Sequence, residues 1–481
     1  MGALRFLTAP HPQADWDGAQ AAYMTGYDGR IFPTSIQAEP SDGESQLVCR
    51  RPLSDSGKLR ITWPVADRGV RMLATSSLRE REQPYHLALE LARGLIGDLR
   101  NQAAIWQQAG MNLPNGYTAA MAEAFSLFSR AACRQDTPSE SAALADEAIA
   151  AGCRASDELM RAYALQKLAN HRSRGGRLPI VLGCGADDVP GGDRAERFTQ
   201  AFDAVSVPIA WPRIEPRESE YDWDAADRLI DWAESQKLLV HAGPLLDLRP
   251  GGLPPWLRQW SGDLLAFQHF LIDFVETAKA RYRGRVKFWT LAIGACLGGE
   301  FAISEEQRLT LTARLLEAAR RSDDGSQVDL EIAAPWGEYQ SRGEHRLAPI
   351  QFVDALARSN LGLDGLSLRF DLSDPSQLTR HRLLVDIGRL LDHWSLLGLP
   401  LRIHLIVPSG EPDSPSPDRW IADYLPTLMA KPQVTTVFWS RLTDTPDVAT
   451  GVLTADGQPK PVFGVLRQHQ ELMRATTVRP A

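Results

Sequence analysis

The chain has 481 residues, 44% hydrophobic and 23% charged, the balance of a folded globular protein and not of a disordered one. Its net charge of -8 argues against a nucleic-acid surface, which needs clustered Lys and Arg. Length alone asks for two or three structural units.

The N-terminal "MGALRFLTAPHPQADWDG" lacks the apolar core of a secretion signal, and no run approaches the ~18–20 apolar residues of a membrane span. The five cysteines, Cys49, Cys133, Cys153, Cys184 and Cys296, are odd in number and widely spaced, so neither a disulfide framework nor a zinc site is indicated. These features predict a cytoplasmic protein with no membrane or nucleic-acid partner, no metal and no cofactor.

Residues 1–78 hold short β-leaning runs such as "GRIFPTSIQ", "SQLVCRRPL", "KLRITWPV" and "GVRMLATSSL", separated by turn signals, and predict a small antiparallel sandwich-like domain. From 79 to 175 apolar residues recur at helical spacing in three alanine-rich stretches, beginning at "PYHLALELARGLIGDLRNQAAIWQQAG", which predicts a helical segment. Residues 176–481 alternate eight apolar β runs with amphipathic helices: "LPIVLGC", "AVSVPIAW", "LLVHAGPLL", "VKFWTLAIG", "VDLEIAA", "LDGLSLRF", "LPLRIHLIV" and "VTTVFWS". Eight such repeats fit an α/β fold of the (β/α)8 TIM-barrel type, with function at the C-terminal ends of the strands. No GxGxxG or GxxxxGK[ST] follows the first strand, which removes the common nucleotide sites.

"WPRIEPRESEYDWDAADRLIDWAESQKLLVHAG" resembles the second repeat of glycoside hydrolase family 10, the xylanase-type barrels. "LPPWL", "RYRGRVKFW", "LDGLSLR", "FWSRLTD" and "GVLTADGQPKPVFGVL" extend the resemblance in the family's order. It implies a saccharide ligand. It also implies an acid/base glutamate five residues after the fourth-strand Trp289, where this chain has Gly294, and a nucleophilic glutamate at the seventh strand, where "LRIHLIVPSG" has no carboxylate. The family's polar residues at the second and third strands align with "SVPIAW", Ala242 and Gly243, while Trp211, Trp256, Trp289 and Trp439 persist.

Two carboxyl groups normally flank a glycosidic bond, about 5–5.5 Å apart for retention and about 6.5–9.5 Å for inversion. The remaining rim candidates are therefore Glu300, after the glycine-rich "GACLGG", and Glu338 in "PWGEYQ" beside Trp336. Each is either a relocated acid or a structural carboxylate. Asp247, Asp371 and Asp444 end strands and either bind hydroxyls or cap helices. His404 stands on the seventh strand near the nucleophile region; Trp439 and Arg441 stand where the family places a Trp over the sugar. The expectation is a saccharide-binding barrel with a degenerate or rearranged site. The alternatives are an unconventional glycosidase using Glu300 and Glu338, and a non-catalytic scaffold.

Overall fold

The computed structural model describes residues 2–8, 21–26, 28–41, 44–173, 180–299, 303–343, 345–373, 380–410 and 416–475. Eight parallel strands, Val181–Gly185, Ala204–Val207, Leu239–Ala242, Phe288–Ile293, Gln327–Ile332, Gly365–Asp371, Leu401–Ile406 and Val434–Trp439, close into a barrel, the eighth pairing with the first through Thr436↔Val181. Each of the eight runs read from the sequence forms its strand. Closure buries both faces, which is why these runs are near-continuously apolar rather than alternating. A two-residue strand, Leu246–Asp247, continues the third strand's path along the fourth.

The N-terminal strands form two four-stranded sheets. One pairs Gly2–Thr8 with Glu44–Arg51 antiparallel and draws in Tyr85–His86 as a parallel neighbour; the other contains Tyr23–Thr25, Ile31–Phe32, Lys58–Val65 and Gly69–Ala74. Three helices follow, Leu87–Gln108, Asn115–Ala132 and Pro138–Ser173. The third packs along barrel helices Leu384–Ser395 and Pro417–Met429, so this collar lies on the barrel's flank. Alanine and glycine at the contacts let the helices approach closely: a Cβ on Gly152 would stand 2.7 Å from Leu95. One continuous hydrophobic core runs through sheets, collar and barrel. Among the described residues no helix is long and apolar enough to cross a membrane.

The second N-terminal sheet meets the C-terminal face of the barrel. Thr34 N–H donates to Ser341 O (3.0 Å) in the loop after the fifth strand, and Met72 N–H donates to His381 O (2.8 Å) in the loop after the sixth. Between these contacts, the Arg382 guanidinium donates to both the Tyr23 hydroxyl and Glu338, each at 2.8 Å.

Candidate functional site at the barrel mouth

The barrel's centre is filled by a polar layer. Asp329 of the fifth strand accepts hydrogen bonds from Ser367 (3.0 Å) and Arg402 (2.9 Å), while His241 Nε2 lies 3.2 Å from the same carboxylate and 3.0 Å from Thr290 Oγ1. Burial alone would raise the Asp329 pKa, but His241, Arg402 and the hydrogen bonds outweigh it and hold the carboxyl well below the usual range.

Two residues further along the same strands, towards their C-terminal ends, stand Glu331, Arg369 and His404, with Asp371 two residues beyond Arg369. Arg369 bridges two carboxylates: Nη1 donates to Glu331 (3.2 Å), and Nε and Nη2 donate to Asp371 Oδ2 (3.2 and 3.0 Å). The other Asp371 oxygen accepts from the backbone and hydroxyl of Ser373. Across the mouth, Arg249 forms a bidentate pair with Asp247, at 2.9 and 2.7 Å, and the charges of Glu331 and Asp371 also act on its guanidinium. His404 faces His241 and Phe438, at ring-centre distances of 5.8 and 4.9 Å. Its Nε2 is buried without a partner among the described residues, and desolvation pulls its pKa down to about 4.

The tips of the fourth and seventh strands are different. Gly294 follows Ile293 with φ of +82°, and a Cβ there would lie 2.7 Å from Arg249 Cγ, so the arginine stem covers the position where a longer side chain would emerge. Gly299 lies so close to the Leu248 carbonyl that only glycine fits. The glycine-rich turn is thus shaped by packing against residues 248–249. The seventh strand runs into Val407 and Pro408.

Several predicted site residues come together here: Asp247, Asp371 and His404 all face the mouth. Arg441 lies at its edge, 3.7 Å from Asp187 of the first strand's end. Asp444 sits further out, tied to Lys460 (2.6 Å) and the Gly451 N–H (2.8 Å). Neither Asp247 nor Asp371 caps a helix; each accepts from an arginine. Trp439 lies in the barrel wall: it is 2% exposed and its indole N–H donates to Thr450 O (2.7 Å). Glu338 is wholly buried against Arg382 and away from solvent. Trp336 is half-buried, with Arg382 4.5 Å from its ring centre and Phe370 tilted against it at 5.2 Å. Glu300 lies outside the described residues.

Sequence reasoning missed Arg249, Glu331 and Arg369. Glu331 and Arg369 sit inside apolar strand runs, and their period-2 relation to Asp329 and Asp371 was the available signal. Among the described residues no group of three or more His, Cys, Asp or Glu is placed to hold a metal ion.

Residues 193–292, from the first barrel helix into the fourth strand, match the family model for glycosyl hydrolase family 10. This part of the barrel is similar to glycosyl hydrolase family 10. An 83-residue stretch is 32% identical to endo-1,4-beta-xylanase B of Thermotoga neapolitana, covering 17% of this chain; the chain spans about a quarter (23%) of that relative's length. Native xylanase 10B from Thermotoga maritima shares the fold, with a TM-score of 0.51 at 16% identity over 62% of this chain and 97% of that one. Xylanase 10B from Thermotoga petrophila RKU-1, solved with xylobiose, aligns with a TM-score of 0.48 at 18% identity over 66% and 97%.

Proposed function

We propose that this family 10-like barrel binds a saccharide at its mouth and does not cleave it by the family's two-glutamate chemistry. One observation carries this reading: the fourth-strand tip is a left-handed glycine overlain by Arg249, and the seventh continues into Val407 and Pro408, so among the described residues neither tip offers a carboxylate. Among the described residues, carboxylates at the mouth stand on the short strand beyond the third and on the fifth and sixth strands, and an arginine engages each of these. Such groups present fixed acceptor and donor positions to sugar hydroxyls, and ordering them in advance lowers the entropy cost of binding. Asp247, Arg249, Arg369 and Asp371 are the assigned contacts, with Arg441 at the edge and His404 beneath.

The similarity to an endo-1,4-beta-xylanase makes xylo-oligosaccharides the first probe. Calorimetric titration with xylotetraose is expected to show binding that weakens about tenfold in Arg369→Gln, while incubation releases no new reducing ends. A second reading, hydrolysis by a relocated pair, is favoured by one fact: Glu331 and Asp371 share a single guanidinium and are therefore close neighbours. Release of reducing ends that vanishes in Glu331→Gln and Asp371→Asn would establish that reading and overturn the first. Release abolished by Glu300→Gln alone would place the acid in the glycine-rich loop.

A further inference from the structure

The N-terminal sheet touches the barrel through buried groups that have no role in closing the barrel itself. Tyr23, on Tyr23–Thr25, is 2% exposed, and its hydroxyl accepts from Arg382, 359 residues later in the chain. Arg382 joins the two loops at the functional face: it comes from the loop after the sixth strand and pairs with Glu338 of the loop after the fifth, both side chains 0% exposed. The Tyr424 hydroxyl donates to its carbonyl, and its guanidinium lies on the Trp336 ring. Trp336 in turn packs on Phe370, the residue between Arg369 and Asp371. A continuous path therefore leads from the N-terminal sheet to the paired charges of the mouth.

The path has few bonds at its centre. Arg382 Nε and Nη1 and Glu338 Oε2 have no hydrogen-bond partner among the described residues, so Nη2 makes both of the side chain's polar contacts. A guanidinium fixed through one nitrogen depends strongly on each remaining partner.

We infer that Tyr23 is a positioning residue for the saccharide site: through Arg382 and Trp336 the N-terminal sheet sets the end of the sixth strand, and the sheet is part of the site's framework. This rests on the saccharide-binding reading for its consequence, but its geometry can be read without ligand. The full chain is labelled with 5-fluorotryptophan, and the 19F resonance missing in Trp336→Phe is assigned to that residue. Tyr23→Phe removes one hydroxyl; Tyr117→Phe, whose hydroxyl donates to Leu99 O in the collar (3.3 Å), is the matched control. Tyr23→Phe is expected to shift the Trp336 resonance and weaken xylotetraose binding about tenfold, and Tyr117→Phe to change neither. Glu338→Gln is expected to repeat the Tyr23→Phe shift and serves if that variant does not fold. A Trp336 resonance unmoved by Tyr23→Phe, or moved equally by Tyr117→Phe, overturns the inference. If the wild type does not bind xylotetraose, the saccharide reading falls, while the resonance still decides the positioning role.

Discussion

Among the described residues, two buried acid–arginine pairs differ in how many partners the acid gathers, though each leaves one carboxylate oxygen without a hydrogen bond. Asp329 at the barrel's centre gathers Ser367, Arg402 and His241 around one carboxylate oxygen, on strands fixed on both sides by neighbouring strands. Glu338 at the rim has a single guanidinium contact and sits in a loop that depends on a second loop and a separate sheet. The first network is a feature of the scaffold. The second is a junction, and junctions are where one part of a protein can set the geometry of another.

The comparison can be broken most sharply at its strong end. Asp329→Ala leaves the Arg402 charge buried without its acid, and a loss of about 3–5 kcal/mol is expected in denaturant unfolding. Asp247→Ala, at a half-exposed pair, is expected to cost less than about 1 kcal/mol. Equal losses would remove the distinction between scaffold and mouth.

Gly294→Glu restores a carboxylate at the fourth-strand tip but forces a left-handed residue against the Arg249 stem. A cost on the order of 1–3 kcal/mol is expected and, on the proposed reading that no second carboxylate faces it from the seventh strand, no gain of hydrolysis. Reducing ends released by this variant would show that a second carboxylate is already in place.

At the mouth, Arg369→Gln is expected to weaken xylotetraose about tenfold, near 1.4 kcal/mol, with a smaller effect on stability. Comparable weakening with a large fall in stability would make Arg369 a scaffold residue like Arg402.

The smallest expected effect is on pH dependence. The His404 pKa in the folded chain, about 4, lies below the ordinary value near 6.5, so folding favours the neutral ring. Its contribution is full above about pH 6.5 and is lost as pH falls from there towards 4. The depressed Asp329 carboxyl acts lower, its contribution being lost only as pH falls below the ordinary value near 3.9. A thermal-unfolding series is expected to show a flatter profile between pH 6.5 and 4 for His404→Gln than for the wild type, with the step below pH 4 retained. Superimposable profiles in the upper window would remove His404 from the account.

The barrel was legible because each strand is an apolar run bounded by helix signals, and burial on both faces demands that composition. The glycine after the fourth strand was legible too, as the residue five places beyond Trp289. The site at the mouth was not. Glu331 and Arg369 look like interruptions of hydrophobic strands until register brings them beside Asp371 and His404. Glu338 next to Trp336 suggested an acid beside a sugar platform, and only the tertiary contact with Arg382 turns it inward. Long-range pairing carries no local signature, so such residues are read correctly only after closure is known.

Tyr23 and Arg382 also have a consequence for biosynthesis. At ~5–20 residues per second, the tyrosine emerges on the order of tens of seconds before the arginine it will meet. Until then the second sheet has no barrel loops to dock against, and its docking face stays open to chaperones or to other nascent chains. Final docking must therefore wait for most of the barrel to be translated, and a chain cut short before residue 382 would lack the anchor for its own beginning.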